Sequence, residues 1–268
     1  MFPRHFHHMF LAELRKTLLR GSGIAAILIA AAVGLLAVGG MALAQYLGGE
    51  AAVNGLPLEQ ILDFSGVTTA GWALRARNFF LLPLLLLWAT GASFAGEFKE
   101  RTLRELLVRP VPRWSVMAAK LLALTVLSGI TLVVTAVISG GLGALLFGIQ
   151  GEWLPLGLGY LASWPSDIGL LSLGILVALL VRNVAAVVVG VVLYLVLDLV
   201  VRLLLSLIGK LPSMELAADI ARFMPGEALA AWEGYLGEWS LASWAGLAVL
   251  IVLCLSAALL RFMRMDVP

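Results

Sequence analysis

The sequence has few charged residues, one cysteine and three histidines, and each scarcity narrows what the protein can be. Charged side chains make up 13% of the 268 residues, whereas a soluble domain carries about 25%. Hydrophobic residues make up 62%, so an integral membrane protein is expected. The single cysteine, Cys254, excludes an internal disulfide and is expected to be a small core-packing residue.

The chain also lacks the side-chain sets that catalysis inside a membrane would need. All three histidines lie at positions 5, 7 and 8, and no apolar run contains paired carboxylates or a histidine–glutamate metal set. Imidazole is a common metal ligand, but no carboxylate or cysteine near the histidines completes a site. We therefore interpret these residues as ordinary histidines at the membrane interface and predict no metal site. The lack of catalytic side-chain sets disfavours an intramembrane enzyme.

Six apolar runs are candidates for helices that cross the bilayer, which takes about 20 residues. They are residues 23–47, 79–95, 115–147, 168–181, 184–208 and 241–262. The fourth run is short and only Arg182 and Asn183 separate it from the fifth, so these two are expected to form a tight helical hairpin. The predicted fold is all-α, with one transmembrane domain over residues 1–268. The first run is too long for a cleavable signal peptide.

Basic residues are concentrated on one side of these predicted spans. Of the 18 lysines and arginines, 13 lie on one side: at the N-terminus, in the second-to-third connection with Lys120 just beyond it, in the fourth-to-fifth turn, and in the C-terminal tail. Acidic residues, Asp167 among them, dominate the opposite connections. The positive-inside rule then predicts a multi-pass protein of the bacterial inner membrane with both termini in the cytoplasm. Arg75 and Arg77 are exceptions and are expected to reach the outer headgroup level.

Two segments outside the spans have an amphipathic pattern. In residues 5–20, apolar side chains share one helical face, and Glu13, Lys16 and Arg20 lie opposite. We expect a helix in the cytoplasmic interface with its basic residues near anionic headgroups. Residues 211–240 are too polar to span and are expected to form short extracytoplasmic helices, which either gate an exit or make a lid without a gating role.

Two opposite charges lie within the fifth predicted span. Asp198 and Arg202 are four residues apart and share one helical face, where they can pair. Ionisable residues at membrane depth are rare and raise a functional hypothesis by default. The pair either lines a pathway or a dimer interface, or it stabilises the helix while reaching toward the outer surface. Both interpretations remain open at this stage.

The densest group of charges lies between the second and third spans, in residues 96–113. Five basic and three acidic side chains occur there, so this segment must lie in water. Thr102 and Glu105 fit a capping box at the start of a short helix, and Pro110 and Pro112 end that helix. The residues alone fit a docking helix and a solvated loop equally well.

This segment resembles the signature of the ABC-2 type exporter permease family. That signature reads Gly-Glu, a short charged stretch, Gly-Thr-Leu, a Leu-rich turn, Pro-x-x-Arg and a Lys-Leu pair. The chain matches it with Gly96-Glu97, Thr102-Leu103, Leu106-Leu107, Pro110 to Arg113 and Lys120-Leu121. Arg101 stands where the family commonly has glycine. The basic tail over residues 261–266 is also similar to the tail of that family. Within the family, the sequence most resembles permeases for multicopper-enzyme maturation.

The resemblance implies a permease with an interfacial N-terminal helix, six spans and a cytoplasmic coupling helix within residues 97–113. That helix would sit in a cleft of a separate ATP-binding subunit. Two permeases, as a homodimer or a closely related heterodimer, would work with two ATPases in the lipid bilayer, with a periplasmic protein as a further candidate partner and no nucleic acid. ATP and Mg would be bound by the ATPase, and no cofactor by this chain. The residues assigned to the ATPase contact are Glu97, Thr102, Leu103, Glu105, Leu106 and Leu107.

The chain contains no Gly-x-x-x-x-Gly-Lys-Ser/Thr loop, so it is not expected to hold nucleotide phosphates itself. The leading hypothesis, which the resemblance implies, is a non-enzymatic transport subunit. In the family that the sequence resembles, the second and fifth spans would line the export route. An alternative with the same architecture is a mechanotransmitter, which passes ATP-driven motion to a periplasmic or assembly partner without moving a solute. The substrate does not follow from the sequence.

Overall fold

The computed structural model describes residues 6–48, 52–53, 56–57, 63–79, 81–99, 112–210, 215–237 and 239–265. These residues are almost entirely helical, as the apolar composition predicts. The exception is a pair of two-residue strands, β1 (Ala52–Val53) and β2 (Leu56–Pro57), which pair antiparallel.

Ten helices follow one another along the described residues. They are α1 (Phe6–Leu19), α2 (Gly21–Gly48), α3 (Gly66–Phe79), α4 (Leu81–Gly96), α5 (Arg113–Phe147), α6 (Trp153–Val181), α7 (Val184–Ile208), α8 (Glu215–Arg222), α9 (Pro225–Leu229) and α10 (Leu241–Met263). One turn, Glu97–Lys99, continues α4, and a 3₁₀ turn, Ala231–Leu236, follows α9. Wider π turns interrupt α4 at Ala92–Gly96 and α5 at Val137–Gly141.

Five of these helices are long and apolar enough to cross a membrane, namely α2, α5, α6, α7 and α10. Helices α3 and α4 meet at an angle of 44° and pass the same test only together. The protein is therefore a multi-pass membrane protein, and the predicted number of six spans is reached when α3 and α4 count as one bent crossing.

The helices form a bundle with two distinguishable ends. At one end, here called the termini face, α1 packs on the beginning of α5, and Arg113 contacts the end of α10. At the other end, the opposite face, α8, α9 and the 3₁₀ turn connect α7 to α10. The main apolar core lies among α2, α4, α5, α6, α7 and α10 and includes Phe94, Leu124, Leu171 and Phe262, all at most 1% exposed.

The predicted start of the fourth span at residue 168 is wrong, because α6 begins at Trp153 and has 29 residues. Ser163, Pro165, Ser166 and Asp167 interrupt the apolar run in the sequence. In the folded protein Ser163, Ser166 and Asp167 are buried inside the bundle, so the helix continues through them.

The predicted hairpin between the fourth and fifth spans is confirmed. Helix α6 ends at Val181, and Arg182 adopts the left-handed conformation with φ 54°. Asn183 then caps α7, because its side-chain oxygen accepts hydrogen bonds from the amides of Ala185 and Ala186 at 3.0 and 3.3 Å. Two residues are thus enough to reverse the chain.

Candidate functional site

Four charged side chains meet at the termini face and form what we call the termini-face cluster: Glu13 and Lys16 from α1, Glu97 after α4, and Lys120 from α5. The Lys120 ammonium donates to Glu13 Oε2 at 2.9 Å and to Glu97 Oε1 at 2.8 Å, and Lys16 also donates to Glu97 Oε1. The side chains of Glu97 and Lys120 are fully buried. Two acids balance two bases, which is the condition for keeping charges inside a protein.

This cluster corrects the predicted orientation of the interfacial helix. The polar side of α1 was expected to face headgroups, but Glu13 is 7% exposed and Lys16 points to a buried carboxylate. The physical reason is the presence of the opposite charges Glu97 and Lys120 on the neighbouring helices. The polar side of α1 therefore packs on the bundle.

A second contact joins the same elements. Arg20 lies between α1 and α2, and its Nη1 donates to the carbonyl oxygen of Ala92 at 2.8 Å. Ala92 opens the π turn of α4, and π turns leave backbone groups without their regular helical partners and recur at functional sites. The end of α4 is thus attached to the N-terminal helices both by charge and by a backbone hydrogen bond.

Of the six residues predicted to contact an ATPase, the structure describes one. The Glu97 carboxylate faces Lys16 and Lys120 inside the protein, which favours an anchoring role for this residue over a direct contact with a partner. The other five lie outside the described residues and remain predictions: Thr102, Leu103, Glu105, Leu106 and Leu107.

The described residues on the far side of the predicted docking segment are also anchored. Arg113 Nη1 donates to the carbonyl oxygens of Met263 and Met265 at 2.9 and 2.8 Å. A cation at these positions satisfies acceptors left free at the end of α10. Ser115 Oγ donates to the Pro112 carbonyl oxygen at 2.6 Å and fixes the first turn of α5. The two described flanks of the segment are therefore held at the termini-face cluster and at the end of α10.

A second buried charged group, the Arg77–Asp167 pair, lies within the bundle. Arg77 Nη2 donates to Asp167 Oδ2 at 2.7 Å, and Nη1 lies 3.3 Å from Oδ1, so the contact is bidentate. Arg77 Nη2 also donates to Thr131 Oγ1 at 2.9 Å, and Ser128 Oγ donates to Asp167 Oδ2. Hydroxyl groups of α5 thus add hydrogen bonds to both charges, and Arg77 Nε is buried without a partner among the described residues.

If α6 crosses the whole bilayer, the position of Asp167 puts this pair within the hydrocarbon layer. Asp167 is 14 residues from either end of α6, which is about 21 Å along the helix axis. A hydrocarbon layer of about 30 Å includes the midpoint of this roughly 42 Å helix wherever the layer falls along it. The prediction that Asp167 lies in a connection is wrong, because Asp167 lies inside α6. The Arg77 side chain also does not extend outward as predicted, because it is buried against Asp167.

Residue patterns missed the Arg77–Asp167 pair because its members are 90 positions apart. One signal was present: two opposite charges that each adjoined a predicted apolar run, while hydroxyl residues Ser128 and Thr131 lay within a third run. A small cavity of about 130 Å³ adjoins the pair and is lined in part by Asn78, Asp167 and Leu195. Residues of α3, α6 and α7 therefore meet at this cavity.

The predicted contact between Asp198 and Arg202 forms on α7. Arg202 Nε donates to Asp198 Oδ2 at 2.9 Å, and Arg202 Nη1 donates to Glu227 Oε2 at 2.8 Å. The amide of Gly226 donates to Asp198 Oδ2 at 3.1 Å. The pair therefore joins α7 to α9 on the opposite face, and a position on a pathway or a dimer interface remains a prediction.

Within the described part of the chain, no three His, Cys, Asp or Glu side chains are grouped as a metal site would require. His7 and His8 form an edge-to-face ring contact with centroids 5.7 Å apart. Cys254 is buried as a free thiol among apolar side chains.

A comparison with protein families adds one finding to this geometry. The profile of a family described as "Protein of unknown function (DUF2705)" matches residues 62–268. The chain belongs to the DUF2705 family. The DUF2705 match includes α3 to α10, and with them the Arg77–Asp167 and Asp198–Arg202 pairs, and it begins after α1 and α2. None of the curated proteins compared with the chain matches it.

Proposed function

We propose that the protein is the transmembrane permease subunit of an ATP-driven ABC-2 type exporter. In this proposal a separate cytoplasmic subunit binds ATP and Mg, and residues 97–113 dock on that subunit. Two copies of each subunit form the unit in the bacterial inner membrane, with both termini in the cytoplasm. The resemblance of residues 96–113 to the family signature supports the proposal from the sequence side.

The observation that carries the proposal is the attachment of both flanks of the docking segment to the bundle. On one flank, Glu97 is held by Lys16 and Lys120, and on the other, Arg113 is held by the last carbonyls of α10. Removing one partner from a buried ion pair costs about 3–5 kcal/mol. A displacement of the segment would therefore move α1, α4, α5 and α10 with it, which is what a coupling element requires.

The cavity beside Asp167 is the candidate for part of the export route. It is lined by side chains of the bent crossing and of α7, including Pro83 and Leu195, and by the polar groups of Asn78, Ser163 and Ser166. The bent crossing and α7 correspond to the second and fifth predicted spans, and the family resemblance assigns the export route to those two spans. The substrate class stays open, because the lining combines hydrogen-bonding and apolar groups.

A mechanotransmitter is the second candidate, and the contact between α7 and α9 favours it. Arg202 and Asp198 on α7 bind Glu227 and the Gly226 amide of α9, so motion of α7 would reach the opposite face directly. A solute that stimulates ATP turnover of the purified complex supports export. Stimulation by a protein that binds the opposite face, with no effect of solutes, supports mechanotransmission.

Co-purification with a candidate ATP-binding subunit from the same genome tests the docking proposal. Glu105→Arg is expected to abolish co-purification and complex-dependent ATP turnover, because it reverses a charge in the docking segment. Asp219→Arg on α8 reverses a charge on the opposite face and serves as the matched control, with assembly unchanged. If Glu105→Arg assembles and turns over ATP like the unmodified protein, residues 97–113 are not the docking element.

A further inference from the structure

Two cavities near the opposite face share one side chain, Trp72 of α3. The first, here called the rim cavity, has a volume of about 270 Å³ and lies among α3, the first turn of α6 and the 3₁₀ turn. The second, here called the groove, has a volume of about 460 Å³ and lies between α2 and the bent crossing. Because Trp72 lines both, the two cavities adjoin at this side chain.

The rim cavity is polar and has one charge of each sign. Arg75 and Glu152 line it, together with Thr68 and Tyr235. The Arg75 guanidinium lies 5.9 Å from the ring centroid of Trp72, which is within cation–π distance. Glu152 immediately precedes α6 and is exposed.

Tyr235 adds an unused hydrogen-bond donor to this cavity. Its hydroxyl oxygen is buried and makes no hydrogen bond of good geometry among the described residues, although the Arg75 guanidinium lies close enough to interact with it. Burial raises the pKa of Tyr235, so the hydroxyl stays protonated and able to donate. A buried donor without an acceptor is costly, and an acceptor oxygen supplied by a ligand would satisfy it.

The groove is apolar and has the length of one lipid leaflet. Val33, Leu36, Gly40 and Ala44 of α2 line it opposite Trp72 and Leu81. Residues 33 to 44 extend about 16 Å along the helix, close to half of the roughly 30 Å hydrocarbon core. Leu36 is 73% and Leu81 is 51% exposed, so the groove is open toward the surrounding bilayer.

We propose that the rim cavity and the groove together bind one phospholipid whose headgroup contains a phosphate and a primary amine. The phosphate lies between Arg75 and the Tyr235 hydroxyl, the primary ammonium faces Glu152, and one acyl chain passes Trp72 into the groove. The proposal concerns the leaflet at the opposite face and does not depend on ATP-driven transport. In this arrangement Arg75 supplies the positive charge for the phosphate and Glu152 the negative charge for the amine. The groove supplies an apolar channel that is as long as one leaflet.

Photolabelling in lipid nanodiscs tests the acyl-chain part. The full-length protein is reconstituted with phosphatidylethanolamine that carries a photoactivatable group in its acyl chain, and labelled residues are mapped by mass spectrometry. Labelling is expected to concentrate in residues 33–44 and 72–81. Gly40→Trp fills the groove and is expected to reduce this labelling at least fivefold.

Gly39→Trp is the matched control. Both glycines are exposed, and a Cβ at either meets no other atom within 4 Å, but Gly39 does not line the groove. Both variants must elute as monodisperse particles to be compared. Labelling that spreads evenly around the bundle, or falls equally in both variants, indicates annular lipid only and overturns the proposal.

Competition with unlabelled lipids tests the headgroup part. Phosphatidylethanolamine is expected to compete several-fold better than phosphatidylglycerol, which has the phosphate but lacks the amine. Glu152→Gln is expected to abolish this difference, and Arg75→Gln to weaken competition by both lipids, whereas Arg222→Gln on α8 leaves both unchanged. Equal competition by the two lipids in the unmodified protein overturns the assigned headgroup recognition.

Discussion

At the scale of single residues, the charges buried in the bundle at Arg77 and Asp167 are each paired with a partner of opposite sign. Arg77 and Asp167 neutralise each other in a bidentate contact, and the hydroxyls of Ser128 and Thr131 contribute further hydrogen bonds. An unpaired charge in such a place would carry most of its desolvation cost. The two residues therefore depend on each other.

Asp167→Asn is expected to destabilise the protein strongly, because it leaves the Arg77 guanidinium buried without a counter-charge. The loss is about 3–5 kcal/mol and is measured as a lower midpoint of thermal unfolding in detergent. The double variant Arg77→Gln with Asp167→Asn is expected to regain part of the loss, since it removes both charges together.

The exposed pair on α8 provides the comparison for that experiment. Arg222 Nη1 lies 3.4 Å from Asp219 Oδ1, and both side chains are more than half exposed. Exposed pairs contribute little because water and salt screen them, so Asp219→Asn should leave the unfolding midpoint unchanged. Equal effects of Asp167→Asn and Asp219→Asn would show that the internal pair is dispensable.

At the scale of elements, α9 lies against α7 at a point where a side chain on Gly226 would displace the Asp198 carboxylate. A Cβ on Gly226 would lie 2.1 Å from Asp198 Oδ2 and 2.8 Å from Arg202 Nη2. The Gly226 amide donates to that same carboxylate oxygen. The close approach of backbone to ion pair is what attaches the outer helices to the bundle.

Gly226→Ala is therefore expected to separate α9 from α7. Charge-assisted hydrogen bonds contribute about 1.5–3 kcal/mol, which corresponds to an increase of about tenfold or more in opening. Hydrogen exchange of the amides in α9, followed by mass spectrometry, measures it. Gly237→Ala is the control, since a Cβ there meets nothing within 4 Å, and equal exchange in the two variants would contradict the attachment.

Helices α6 and α7 show which features residue patterns predict and which they miss. The α6–α7 hairpin followed from local information, because only Arg182 and Asn183 lie between two apolar runs. The length of α6 did not, because Asp167 and its polar neighbours reduce the hydropathy of a helix that is packed inside the bundle. Hydropathy scores the transfer of each side chain to lipid by itself. It does not include the hydrogen bonds or ion pairs that a polar side chain makes with another helix.

At the scale of the whole molecule, the distribution of basic residues predicts its orientation. Arg264 lies at the termini face and Gly237 at the opposite face, and both are exposed. In a Cys254→Ala background, Gly237→Cys is expected to react with a membrane-impermeant maleimide added to intact cells. Arg264→Cys should react only after permeabilisation, because the positive-inside rule puts the termini in the cytoplasm. Reaction of both from the same side would exclude the predicted arrangement of crossings.

The sequence by itself determined the membrane class, most apolar runs, the hairpin and the Asp198–Arg202 contact, because each depends on neighbouring residues whose contributions add along a helix. Only the tertiary structure decided that the polar side of α1 faces inward and that Arg77 binds Asp167. Those contacts join residues 107 and 90 positions apart. A buried charge requires a partner, but no local pattern says which distant helix supplies it, since that depends on how the helices pack.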